Sequence, residues 1–159
     1  MRKLIVYAAA AVILVSCGTA QPVKIYGPLY YWGGSQVKMN STTSIYEDLA
    51  YKNYRQKTPQ ITCSLICAYE DMVQNPGGMR KVPPPGICAE YGYLLMIPES
   101  ASTFAENATE KQKKVFAGQD GDYRTLFSRK AGEMFELEMK YYPESQVFIK
   151  PLVEKLRNR

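Results

Sequence analysis

Val82-Pro-Pro-Pro-Gly-Ile-Cys-Ala-Glu-Tyr-Gly-Tyr-Leu-Leu-Met96 is the stretch on which the reading of this chain turns. Three prolines restrict the backbone ahead of an apolar run, and a proline just inside a helix start gives up no useful N–H. From Ile87 to Ile97 the only charge is Glu90, so a helix here is expected to be covered on most sides. Cys88 and Gly92 stand four apart and form a small-residue stripe, with Tyr91, Leu94 and Leu95 beside it. A glycine inside a helix costs about 1 kcal/mol against alanine, and close approach of a second helix is the compensation expected.

Outward from this centre, the helical periodicity begins at Ser44. A first helix carries Ile45, Tyr46, Leu49 and Ala50 and stops before Pro59. A second is predicted from Gln60 to about Gln74, ending at Asn75-Pro76-Gly77-Gly78. The central helix runs over about 85–97. Pro98-Glu99-Ser100 and Pro143-Glu144-Ser145 share one pattern, proline followed by an acid, which suits a first helical turn. They predict helices over about 99–117 and 144–157. Between them lie a loop, Gly118 to Asp122, and a long helix over about 123–142 in which Ala131-Gly132 offers a second close-contact point. The expected fold class is all-α: antiparallel helical hairpins preceded by an extended aromatic arm.

That arm spans residues 25–43 and contains Tyr30, Tyr31 and the only tryptophan, Trp32, followed by a turn at Gly33-Gly34. Two readings stand: packing of the arm on the helices, or a contact surface for a glycan, a peptide or the membrane interface.

The start of the chain reads as an address. Arg2 and Lys3 precede an apolar run from Leu4 to Val15, shorter than the roughly 20 residues a spanning helix requires. It ends Leu14-Val15-Ser16-Cys17, which resembles the bacterial lipobox. The resemblance implies a signal peptide over residues 1–16, cleavage before Cys17, and acylation of Cys17 by several chains, which anchor firmly where one does not. Residues 17–24 form the tether, and 25–159 a single domain. Gly18 follows Cys17 where an aspartate would act against outer-membrane sorting, and no acidic cluster follows; the expectation is a periplasm-facing outer-membrane lipoprotein.

Without the first 16 residues the chain has 143 residues, with 18 basic against 15 acidic side chains. A net charge of +3 gives no footprint for nucleic acid. Histidine is absent, which removes the commonest general base and the commonest non-cysteine zinc ligand. Glu70 and Asp71 are adjacent and point to different sides of a helix, so they form no acid/base dyad. No catalytic residue, cofactor motif or small-molecule substrate site is evident.

Cys63, Cys67 and Cys88 remain in a chain whose export permits disulfides. A zinc site would need a fourth ligand such as Glu70 or Glu90, and the spacing offers no second cysteine pair. If the second and central helices are adjacent antiparallel neighbours, Cys67 lies about 12 Å and Cys88 about 4 Å from the break, with Cys63 near 18 Å. Two readings stand, buried free thiols or a disulfide, and if a bond forms the better pair is Cys67–Cys88.

Cys88-x2-Tyr91-Gly92-x2-Leu95, then Ala131-x3-Phe135, then Pro143 resembles the tetratricopeptide pattern, in which the glycine and alanine mark where two helices touch. The resemblance implies Gly92 and Ala131 as helix-contact residues. Pro143 lies 55 residues after Cys88 against about 34 for a whole repeat, so residues 98–122 are read as an inserted helix and loop. The ordered set of Leu-Val-Ser-Cys, Pro-Leu-Tyr-Tyr-Trp-Gly-Gly, Tyr-Glu-Asp-Leu-Ala-Tyr, Pro-Pro-Pro-Gly-Ile-Cys-Ala-Glu-Tyr-Gly-Tyr and Tyr-Tyr-Pro-Glu-Ser resembles a family of small uncharacterised Gram-negative lipoproteins with a tetratricopeptide-like domain. Its members tend to be encoded beside a curli-secretion-channel-like lipoprotein. This implies a non-enzymatic protein-binding scaffold in an envelope export or assembly complex, with such lipoproteins as partners. The alternative is a glycan- or peptidoglycan-associated binding lipoprotein.

Overall fold

The computed structural model describes residues 27–38, 41–118 and 122–157; Cys17, the signal peptide and the tether lie outside them. The described chain is predominantly helical. A short antiparallel ribbon, β1 (Ser35–Lys38) and β2 (Ser41–Ser44), pairs Ser35 with Ser44 and leads directly into α1 (Ile45–Gln56). Then follow α2 (Pro59–Gln74), α3 (Ile87–Met96), α4 (Pro98–Asn107), the single turn α5 (Glu110–Lys113), α6 (Tyr123–Tyr141) and α7 (Gln146–Arg157). Turns of 3-10 helix at Lys114–Phe116 and Pro143–Ser145 introduce the loop before α6 and the start of α7.

Local chemistry sets most of these boundaries. Thr58 caps α2, accepting from the Ile61 N–H at 3.4 Å, and Pro59 occupies the first turn, so this proline opens the helix it was expected to precede. Asp122 caps α6 through the Thr125 N–H at 2.8 Å. The single helix expected over 99–117 is broken. Ala108 is extended, and Thr109 with Gln112 forms a reciprocal capping box that starts a new turn. The ribbon was not anticipated within the extended arm.

The central helix begins at Ile87, two residues later than expected, because Gly86 is left-handed (φ 85°) and has no side chain to cap with. The cap comes from elsewhere in the chain. Glu138 of α6, 2% exposed, accepts from the Gly86 N–H at 2.8 Å and the Ala89 N–H at 3.3 Å. A carboxylate against the positive end of α3 satisfies N–H groups that would otherwise be buried without partners.

The most extensive packing in the molecule is between α3 and α6. A Cβ on Gly92 would lie 2.9 Å from Phe135 Cε1 and 3.1 Å from the Ala131 carbonyl oxygen, so this position tolerates only glycine at the present helix separation. Gly132 differs: a Cβ there would meet nothing within 4 Å, so the second close contact is made by Ala131 alone. Helix α2 packs on α1, α3 and α4, while α6 also contacts α4 and α7. The core contains Ile66, Met72, Ile87, Tyr91, Leu95, Phe104, Phe127 and Phe135. Phe104, Phe116, Tyr123 and Phe127 pack edge-on or tilted with centroids 5.1–6.4 Å apart, closing α4 and the 3-10 turn onto α6.

Two consequences are measurable. Gly92→Leu should overpack the α3–α6 crossing and lower unfolding free energy by about 1–3 kcal/mol or more in urea titration, despite its better helix propensity. Glu138 supplies a pH signature. Burial raises its pKa, an effect opposed by the backbone N–H groups of Gly86, Ala89 and Cys88 and reinforced by Glu144. Between the ordinary carboxylate pKa and the raised one, the folded state binds more protons than the unfolded. This contribution to stability is therefore present at low pH and lost as pH rises through that window. Wild type minus Glu138→Gln, measured by urea unfolding across pH, should show that downward slope.

Candidate functional site

Three polar arrangements and one groove are the places where this fold brings chemistry together. The innermost is a buried ion pair. Lys130 of α6 sits 2.7 Å from Glu70 of α2, and both are at most 5% exposed. Glu70 also accepts from the Tyr91 hydroxyl at 2.8 Å and the Gln74 amide at 3.2 Å, while the Lys130 ammonium lies 5.8 Å from the Phe116 ring centroid. α2, α3 and α6 each supply one member, so the pair ties three helices together. Burial, reinforced by Glu70, raises the Tyr91 pKa well above its usual value and keeps it a hydrogen-bond donor.

The second arrangement centres on Glu90, the one charge on α3. It accepts from the Tyr46 hydroxyl at 2.6 Å and the Tyr69 hydroxyl at 2.8 Å. Trp32, Tyr46, Tyr69 and Tyr91 follow one another with successive ring centroids 6.1, 5.5 and 5.5 Å apart, from the surface to the fully buried Tyr91. Burial, with Glu90 alongside, pushes Tyr46 and Tyr69 above the usual phenol range.

The described part of the arm is held down over Pro28–Tyr31. Met79 and Arg80 donate backbone N–H groups to the carbonyls of Pro28 and Leu29 at 3.0 and 3.1 Å. Gly78 (φ 71°) lies so close to this crossing that a Cβ would fall 2.7 Å from the Leu29 carbonyl oxygen. Tyr31 donates to Asp71 at 2.9 Å, and Tyr30 lies beside Tyr142, whose hydroxyl donates to the Pro83 carbonyl at 2.6 Å. Tyr30 and Tyr31 are thus half-buried and engaged within the fold. Of the three aromatics considered as a contact surface, Trp32 keeps the most exposure, at 39%.

Cys63, Cys67 and Cys88 are free thiols, and the Cys67–Cys88 bond is not formed. That pairing assumed that α3 faces α2 alone. Cys88 instead neighbours Glu138 of α6, whereas Cys67 neighbours Cys63, Glu70 and Tyr91, and Cys63 points its Sγ 3.7 Å from the Thr103 carbonyl oxygen. Burial pushes Cys67 up to about 11 and Cys88 up to about 12, so both remain protonated near neutrality. A protonated thiol is a poor metal ligand. No cluster of three metal-ligating side chains occurs among the described residues.

The groove lies where α3 turns into α4, against the first two turns of α6. Leu95, Met96, Ile97, Pro98 and Ala101 form its floor. Thr125, Ser128, Arg124 and Arg129 form the wall, enclosing about 530 Å³. A second recess of about 440 Å³ continues along α4 past Ala105 and shares Pro98, Ala101 and Arg124 with the first. Its lining combines apolar side chains with two arginines, so it offers a ligand both apolar burial and contact with cations. Sequence reasoning missed it because its two sides are 23 or more residues apart, and neither carries a recognisable motif.

Because removing one partner of a buried pair leaves an uncompensated charge, Lys130→Met should cost about 3–5 kcal/mol of unfolding free energy. The double variant Lys130→Met/Glu70→Leu should recover most of that loss in the same urea titration.

No family model, curated protein or solved structure matches the chain.

Proposed function

We propose that this chain is a lipid-anchored, periplasm-facing outer-membrane lipoprotein that acts as a non-enzymatic protein-binding scaffold in an envelope export or assembly complex. The observation that carries the scaffold reading is the open groove between the α3–α4 junction and α6, an apolar floor walled by Arg124 and Arg129. The anchoring reading rests on Arg2-Lys3, the short apolar run and Leu14-Val15-Ser16-Cys17 in that order. The tetratricopeptide-like detail belongs to the same proposal. Gly92 and Ala131 meet at the α3–α6 crossing, as the pattern requires of its small residues, and α4 and α5 occupy the inserted stretch.

The buried titratable groups support a structural role over a catalytic one. Glu70, Lys130 and Tyr91 are engaged with one another, and Glu138 is engaged with backbone. The glycan-binding alternative draws less support, since Tyr31 bonds Asp71 and Tyr30 is half-buried beside Tyr142. The partners proposed are envelope lipoproteins of the curli-secretion-channel-like kind.

Affinity capture from solubilised envelopes tests this reading. Wild type should retain an envelope lipoprotein, and Ser128→Trp, which fills the groove from an exposed position, should lose it without a change in melting temperature. Cys17→Ala should abolish acylation and leave uncleaved precursor. An unmodified Cys17 in the wild-type protein, seen by mass spectrometry of its N-terminal peptide, would remove the anchor from the proposal.

A further inference from the structure

The end of the helical body at which the described chain begins exposes a cluster of large apolar side chains. Three observations place that end. The described part of the arm begins at Gly27, and the carbonyls of Pro28 and Leu29 bond the backbone of Met79 and Arg80. Tyr30 lies beside Tyr142, at the C-terminal cap of α6. Tyr142 in turn bonds Pro83, and only the 3-10 turn Pro143–Ser145 separates it from α7. The first described residues, the α2–α3 loop and the start of α7 therefore cluster together.

This cluster exposes large apolar side chains that a water-facing surface does not need. Leu29 is 49% exposed, Met79 52%, Val147 77% and Phe148 78%. On α7 the outward stripe is 147, 148, 151, 154 and 155, while Ile149 on the opposite side is buried. The stripe is apolar only in its first half, Val147, Phe148 and Pro151, the half beside the arm; it turns polar at Glu154 and Lys155. Arg80, Lys81, Lys140 and Lys150 are exposed around the same end, against Glu144, Asp71 and Glu90, the last two bonded to tyrosine hydroxyls, with Glu136 and Glu154 one turn further along their helices. Apolar side chains rimmed by cations match the boundary of an anionic bilayer.

We infer that this surface, centred on Val147 and Phe148 with Leu29 and Met79, lies against the anionic lipid bilayer to which the chain is tethered. The inference rests on the lipid-anchor reading above. Ten residues separate Cys17 from Gly27, at most about 33–36 Å of extended chain, so an acylated Cys17 holds this end within reach of the headgroups. Lipid contact on the body then fixes its orientation, which a flexible tether alone does not.

The full-length protein carrying Trp32→Phe and Phe148→Trp places one indole on the outward face of α7. It is purified from membranes, its Cys17 acylation is read by mass spectrometry, and it is reconstituted in phosphatidylethanolamine–phosphatidylglycerol vesicles with brominated acyl chains. The expected result is a blue-shifted indole that loses most of its emission to bromine. Adding Arg80→Glu, Lys140→Glu and Lys150→Glu should restore the emission. An acylated protein that floats with vesicles yet shows no quenching overturns the inference and leaves the anchor standing. Unacylated protein that is quenched when added to the same vesicles supports the surface and removes the anchor; unacylated protein without quenching removes both. A blue shift without lipid, with a doubled sedimentation mass, overturns the inference in favour of contact between two copies.

Discussion

The missing side chain of Gly92 is the constraint on which this structure depends. It lets α3 settle onto the Ala131 carbonyl and the Phe135 ring of α6 at distances no other residue permits. Once the two helices are that close, one face of α6 meets a different neighbour at each turn. Phe127 reaches the aromatic cluster around Phe104, Lys130 reaches Glu70 on α2, Phe135 fills the crossing, and Glu138 arrives at the start of α3. Spacings of three, five and three residues keep these side chains on one face of the helix, so a shift of α6 would disturb all of them together.

The polar groups inside this fold link helices to one another. Glu138 stands in for the cap that Gly86 cannot provide, and Glu70 with Lys130 links α2 to α6 while Tyr91 adds α3. A buried pair of this kind gives little net stability over an apolar substitute, because two charges have lost their water. Its value here is geometric: a displaced helix would strand a charge. The free thiols are packed as small apolar groups, and their raised pKa values leave them poor nucleophiles.

The molecule also has two functional ends in the reading proposed here. Helices α3 and α6 run antiparallel, so Glu138, near the end of α6, meets the start of α3, whereas Arg124 and Ser128 meet the end of α3 at the groove. The surface read as membrane-facing sits at the first end and the groove at the second, roughly the length of α6 apart, about 28 Å for its 19 residues. An anchored body held by one end would thus present its groove away from the bilayer.

Much of the helical layout was legible in one dimension. Capping residues, prolines and 3.6-residue periodicity are local signals, and Thr58-Pro59, Asp122 and the asparagine–proline–glycine break after α2 act through backbone geometry within a few residues. The apolar run with a single charge foretold the burial of α3, and Gly92 with Ala131 foretold where two helices meet. Long-range partnership was not legible. The sequence contains no sign that Glu138 caps a helix beginning 51 residues earlier, that Cys88 neighbours Glu138 of α6, or that Tyr31 finds its partner in Asp71. The groove was equally hidden, being the space left between α4 and α6 once the crossing at Gly92 has set their separation. Short-range backbone chemistry determines which residues become helices; which faces they share depends on close packing among side chains far apart in the chain, and only the folded arrangement decides that.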